Sequence, residues 1–109
     1  MKALMINLTP AVAAGIYNGK KYAPIRQIPN LEGRKDVTVY ICEGDEVTGT
    51  AQYVTARAQK EAFEGSVEDI YHLYVAWELA NPQKYENPKT FAEAGLKKTS
   101  LEWGYVKVK

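Results

Sequence analysis

Four short stretches of this chain alternate apolar and other side chains with a period of two, and no stretch sustains a helical period for long. Leu4, Ile6 and Leu8 alternate with Met5 and Asn7, Val37, Val39 and Ile41 with Thr38, Tyr40 and Cys42, and Val75, Trp77 and Leu79 with Ala76, Glu78 and Ala80. Near the end, Val106 and Val108 share one face of a run that starts at Trp103. This is the pattern of strands with one face on a core. A fifth run, Val47 to Arg57, is rich in Thr, Val and Tyr and too long to lie flat, and Gly49 is a natural place for it to bend. Strands that bend predict a sheet that curls on itself.

Helix signals are few and local. Thr9 is placed to cap, Pro10 suits the first helical position, Val12 and Ile16 lie one turn apart, and Asn18-Gly19 supplies a left-handed stop. Ser66 with Asp69 resembles a capping box that opens a short helix through about His72 or Leu73. Thr90-Phe91-Ala92-Glu93 is a stricter capping box, and Gly95 closes a single turn after it, with Trp103 expected to pack beneath. Residues 21–28 read as extended. Pro24 lies inside that segment and places it at an edge, a bulge or a ligand-facing wall, because proline cannot donate to a ladder. Glu43-Gly44-Asp45-Glu46 is a turn, and Asn81-Pro82 is expected to end the strand before it. The class expected is α+β: a small, curved, mostly antiparallel β-barrel with two or three short helices, in a single domain spanning 1–109.

Several chemistries lack parts. With 109 residues, 46% of them hydrophobic, the chain can bury one core without metal or disulfide support. Its one cysteine, Cys42, has no partner in the chain, which fits a reducing compartment, and a cytoplasmic placement is expected. Cys42 could pair with the lone His72 as a nucleophile, but it lies on an alternating strand where a buried structural thiol is the plainer reading. One histidine and one cysteine make no multi-ligand metal site, so neither metal nor cofactor is expected. Gly15 to Gly19 lacks the lysine and hydroxyl residue of a phosphate loop. No apolar run approaches the ~20 residues of a membrane span. Met1 to Gly15 is interrupted by Asn7, Thr9 and Pro10 and does not read as a secretory segment, so no membrane partner is expected.

Charge is balanced overall and uneven along the chain. The formal net charge is +1, so a nucleic-acid partner would have to be held by a local patch. Residues 1–35 carry six cations against Glu32 alone, residues 36–78 two cations against nine carboxylates, and residues 79–109 six lysines against three carboxylates. If the termini meet, their lysines share a face. The densest cationic segment is Gly19-Lys20-Lys21-Tyr22-Ala23-Pro24-Ile25-Arg26. Lys20 and Lys21 follow a helix end and could simply complement its dipole. Alternatively, Lys21 and Arg26 flank a groove, Arg offering a planar fork and Lys a point charge to phosphate or a base edge. Being five apart, they would face opposite ways in a regular strand, so only a turn or bulge at Pro24 could aim both at one ligand. Tyr22, Tyr40, Tyr53 and Tyr85 lie in or near extended segments where an exposed ring could stack on an unpaired base. Trp77 reads as a core anchor.

The order of these pieces resembles the ASCH domain of the PUA-like superfamily. The resemblance rests on Leu4-Met5-Ile6-Asn7-Leu8-Thr9-Pro10 running into Ile16-Tyr17-Asn18-Gly19. It rests also on the motif Gly-x-Lys-x-x-Glu-x-Arg, matched at Gly19, Lys21 and Arg26, and on Tyr85-Glu86-Asn87-Pro88-Lys89-Thr90-Phe91 followed by Trp103-Gly104-Tyr105-Val106. It covers nearly the whole chain. It implies a five- or six-stranded barrel with helices at its openings and a cleft near the motif that takes RNA or a nucleotide-like ligand, with Lys21 and Arg26 in the binding role. The family's Glu is replaced here by Pro24. Some bacterial relatives are amidohydrolases on acetylated cytidine, with a Lys at the position of Lys21, a hydroxyl residue at that of Pro24 and an acid further on. Glu68 or Asp69 could stand in for that acid, but proline supplies neither hydroxyl nor carboxylate.

The first expectation is therefore a non-catalytic domain holding RNA or a nucleotide-like ligand through Lys20, Lys21, Tyr22 and Arg26. The second is a small amidohydrolase with Lys21 as its reactive group. The third is a protein-interaction module, whose sign would be an exposed apolar patch.

Overall fold

The computed structural model describes residues 2–25, 27–60 and 73–107. Its elements run β1 (Lys2–Asn7), α1 (Pro10–Tyr17), β2 (Tyr22–Ala23), β3 (Thr38–Glu43), β4 (Glu46–Lys60), β5 (Leu73–Thr90) and β6 (Trp103–Lys107). The strands form one six-stranded sheet in the order β2-β5-β4-β3-β1-β6. The β1–β3 pair is parallel and the other four are antiparallel. The termini do meet: Lys2 stands opposite Lys107.

The expected alternation produces two cores, one on each side of the sheet. Leu4, Ile6, Val39, Ile41, Ala51, Trp77 and Leu79 line the inner face with Ala13 and Ile16 of α1, which stoppers the curl. Met5, Cys42 and Val47 point the other way, under Phe91. Trp77 is fully buried, the anchor its alternating strand predicts.

Curvature comes from bulges. The β4–β5 ladder shifts register between Val47 and Gly49, Thr50 and Gln52, and Tyr53 and Thr55. Gly49 is needed there for space: a Cβ would meet Tyr17 Oη at 2.6 Å and Lys84 Cα at 2.9 Å. Asn81-Pro82 does not end β5. Gln52 pairs with Ala80 and Thr50 with Gln83, so Asn81 and Pro82 together face a single residue. Asn81 takes a left-handed φ of 49° and donates from Nδ2 to Gln52 Oε1 (2.7 Å), which makes the pair a bulge through which the strand continues.

Two expectations are corrected. The barrel is a half-barrel, because β2 and β6 remain as sheet edges. They are bridged across the seam by side chains. Trp77 Nε1 donates to the Gln27 carbonyl oxygen and Trp103 Nε1 to Gln27 Oε1, both at 2.7 Å, and Asn30 N donates to Tyr105 Oη at 2.7 Å. The rings of Trp77 and Trp103 meet edge to face at 5.3 Å across the same gap. Trp103 thus packs on the inner core and not under the turn at 91–95. The second correction concerns helices: α1 is the one α-helix among the described residues, not two or three. The 90–95 segment is a single turn capped at both ends. Thr90 N donates to Glu93 Oε1 and Glu93 N to Thr90 Oγ1, while Gly95 at φ 73° closes it. The helix expected at Ser66–Leu73 falls almost wholly outside the described residues, as do His72, Glu68 and Asp69.

Candidate ligand-binding site

The cationic segment begins where α1 is forced to stop. Thr9 accepts from Val12 N at one end, and a Schellman pair closes the other: Lys20 N donates to Gly15 O (2.9 Å) and Gly19 N to Ile16 O (3.1 Å), with Gly19 at φ 106°. This fold-back lays the stem of Lys20 along the helix, so that a Cβ on Gly15 would come within 3.1 Å of Lys20 Cδ. The chain then enters β2, where Tyr22 pairs with Glu78 and Ala23 with Trp77, and Leu79 N donates to Lys21 O. Immediately afterwards Ile25 N donates to Ala23 O at 2.8 Å, a three-residue γ-turn centred on Pro24. Proline suits it because the turn needs φ near −75° and no N–H from its central residue.

Lys20 and Tyr22 are brought together. Both line a hollow of about 180 Å³ with Ala11, Val12, Gly15, Ala23, Pro24 and Ala76. Tyr22 is exposed, and its ring forms part of the wall. Lys21, between Lys20 and Tyr22 in the sequence and just ahead of β2, is exposed and is not among the residues that line this hollow. Arg26, the other half of the expected clamp, lies outside the described residues. The chain does turn tightly at Pro24, where a turn or bulge was expected. Glu78, opposite Tyr22, puts a carboxylate beside the cations.

Another cation, which periodicity did not mark, meets α1 at Tyr17. Lys84 Nζ stands 5.7 Å from the centre of the Tyr17 ring at the end of α1. Tyr17 Oη and Thr48 Oγ1 share a hydrogen bond of 2.7 Å. Burial pushes the Tyr17 phenol up to about 12, against the opposing pull of that bond, so it stays a neutral phenol at physiological pH. Cys42 is fully buried, and burial pushes its thiol up to about 12 as well, which fits the structural reading over a nucleophile. The described residues contain no cluster of three or more metal-ligating side chains. No helix among them is long and apolar enough to cross a membrane.

A second, larger cavity went unnoticed in the sequence. A cleft of about 910 Å³ runs beside β6, lined by Gln27, Lys97, Leu101, Trp103 and Tyr105 among others. It is assembled by long-range pairing of β6 with β1, for which local periodicity carries no signal.

No family model and no curated protein matches the chain. Among solved structures it is similar to the ASCH protein of Zymomonas mobilis. The crystal structure of that protein superposes with a TM-score of 0.66 at 18% identity, covering 96% of this chain and 87% of the other. Two single-substitution variants of the same protein give 0.67. One is 19% identical over 98% of this chain and 91% of that one, the other 17% identical over 96% and 88%. The chain therefore carries an ASCH-type fold, the one its motif order resembles.

Proposed function

We propose that this protein is an ASCH-type binding domain that holds RNA or a nucleotide-like ligand at the segment Gly19–Arg26. The observation that supports it most is the pairing of Lys20 with Tyr22 on one hollow at the end of α1, beside a backbone turn at Pro24. A cation and an exposed ring in one wall offer a phosphate contact and a stacking face together. Lys21 and Arg26, neighbours of Lys20 and Tyr22 in the sequence, are the further phosphate contacts in this reading. The protein acts by binding in this reading, with no covalent step. The amidohydrolase alternative would need Lys21 enclosed, and Lys21 is exposed.

The test is the salt dependence of binding to a short single-stranded RNA, read by fluorescence anisotropy. Three phosphate contacts give a log–log slope of about −2, so affinity falls roughly 20-fold between about 50 and 200 mM salt. A change of less than about twofold over that range refutes the proposal.

A further inference from the structure

The seam cleft carries an inference of its own, independent of the basic hollow. Its walls are held in place before any ligand arrives. Asn7 Nδ2 donates to the Thr99 and Leu101 carbonyl oxygens (3.1 and 2.6 Å), and Asn7 N donates to Glu102 O (2.8 Å), which pins the 99–102 loop to the end of β1. On the other wall the Trp103 ring is fixed by Gln27 Oε1 and by the Trp77 ring, and the Tyr105 ring by Asn30 N. Trp103 and Tyr105 sit edge to face at 5.1 Å.

Two features define what fits. The indole Nε1 donates to Gln27 and the phenol oxygen accepts from Asn30 N, so both rings are held in place and present their faces to a ligand. Leu101 and Tyr105 at the rim remain 66% and 45% exposed. The walls carry little net charge: Lys97 and Lys98 stand against Glu102, and Lys98 is engaged by Asp45. An indole can only donate, so the Gln27 atom facing Trp103 is its oxygen, which leaves the Nε2 hydrogens for an acceptor on the ligand. From this we infer that the seam cleft is a binding site for an uncharged, planar heteroaromatic ring bearing hydrogen-bond acceptors, stacked against Trp103 and Tyr105 beside Gln27. The ring could come as a free small molecule or as the base of a nucleotide chain.

Caffeine is the probe, being flat, uncharged and rich in acceptors. It is titrated into the intact protein while the Trp77 and Trp103 indole N–H resonances are followed. The expected result is a saturable shift of the Trp103 resonance, with a dissociation constant that changes less than about twofold between about 50 and 500 mM salt. Leu101→Asp, at an exposed rim position outside the core, weakens binding about tenfold, and so does Tyr105→Leu. A tetra-adenylate arm separates the sources: displacement of caffeine by it at high salt assigns the site to a nucleotide base, and no displacement assigns it to a free ring. Absence of a shift, or a shift insensitive to Leu101→Asp, overturns the inference. Neither outcome bears on the salt-dependent RNA binding at Lys20 and Lys21, which is read separately.

Discussion

Replacing Gly49 by alanine tests how the curl of the sheet and the end of α1 are fitted together. The new methyl group would lie within van der Waals contact of the Gln83 carbonyl oxygen, 2.6 Å from Tyr17 Oη and 2.9 Å from Lys84 Cα. Two of the three are backbone atoms of the paired strand, so β4 and β5 must part at the bulge or Tyr17 must leave. Overpacking of this kind costs about 1–3 kcal/mol. Losing the 2.7 Å Tyr17–Thr48 bond adds about 1 kcal/mol. The sum is about 3 kcal/mol, which for a domain of this size lowers Tm by roughly 12–24 °C. Gly95→Ala is the control. Gly95 has φ 73° with no atom near its missing Cβ, so only backbone strain applies, about 1 kcal/mol and roughly 4–8 °C. Thermal melts by circular dichroism compare the two. A Gly49→Ala protein that melts no lower than Gly95→Ala refutes the close approach.

Further outcomes follow from the seam and the buried ionisable groups. Gln27→Ala removes the Trp103 acceptor but keeps the backbone carbonyl that serves Trp77, so it costs about 1 kcal/mol in urea melts and shifts the Trp103 indole N–H alone. Cys42 and Tyr17 are both raised to about 12 by burial, from 9.0 and 10.0. Their unfolded forms ionise first, so the stability they contribute is intact below about pH 9 and is lost as pH rises towards 12, where denaturant midpoints must fall. In the native protein Cys42 resists iodoacetamide at mildly alkaline pH, and it reacts once the chain is unfolded. Thr90→Ala removes one arm of the capping box and costs about 1 kcal/mol, with its effect confined to amide resonances of the 90–96 turn.

Signals carried within a few residues were legible in the sequence. The Thr9-Pro10 start and Asn18-Gly19 stop of α1, the Gly44 turn and the Thr90–Glu93 box each involve groups that bond to neighbours in the chain, and each appears where local chemistry puts it. The alternation of β1, β3 and β5 told which residues face the core. Pro82 was misleading because a residue without N–H normally ends pairing, whereas a bulge opposite Ala51 accommodates it. Trp103 was misplaced because its partner, Trp77, reaches it only through closure of the sheet. Gln27 gave no signal at all. An isolated polar residue in a loop says nothing about two indoles that converge on it from β5 and β6. In the candidate site the sequence marks a run of cations around Tyr22, and the structure brings Lys20 and Tyr22 of that run to one hollow; that pairing depends on the fold-back after α1 and on where β2 starts, which the sequence leaves open.

The central claim is that the cations of Gly19–Arg26 hold phosphate, and the sharpest test is the salt slope of RNA binding measured residue by residue. Lys20→Ala, Lys21→Ala and Arg26→Ala should each make the log–log slope shallower by about 0.7, while Lys35→Ala, in an exposed loop, leaves it unchanged. Slopes that stay equal to wild type in all three site variants would contradict the account.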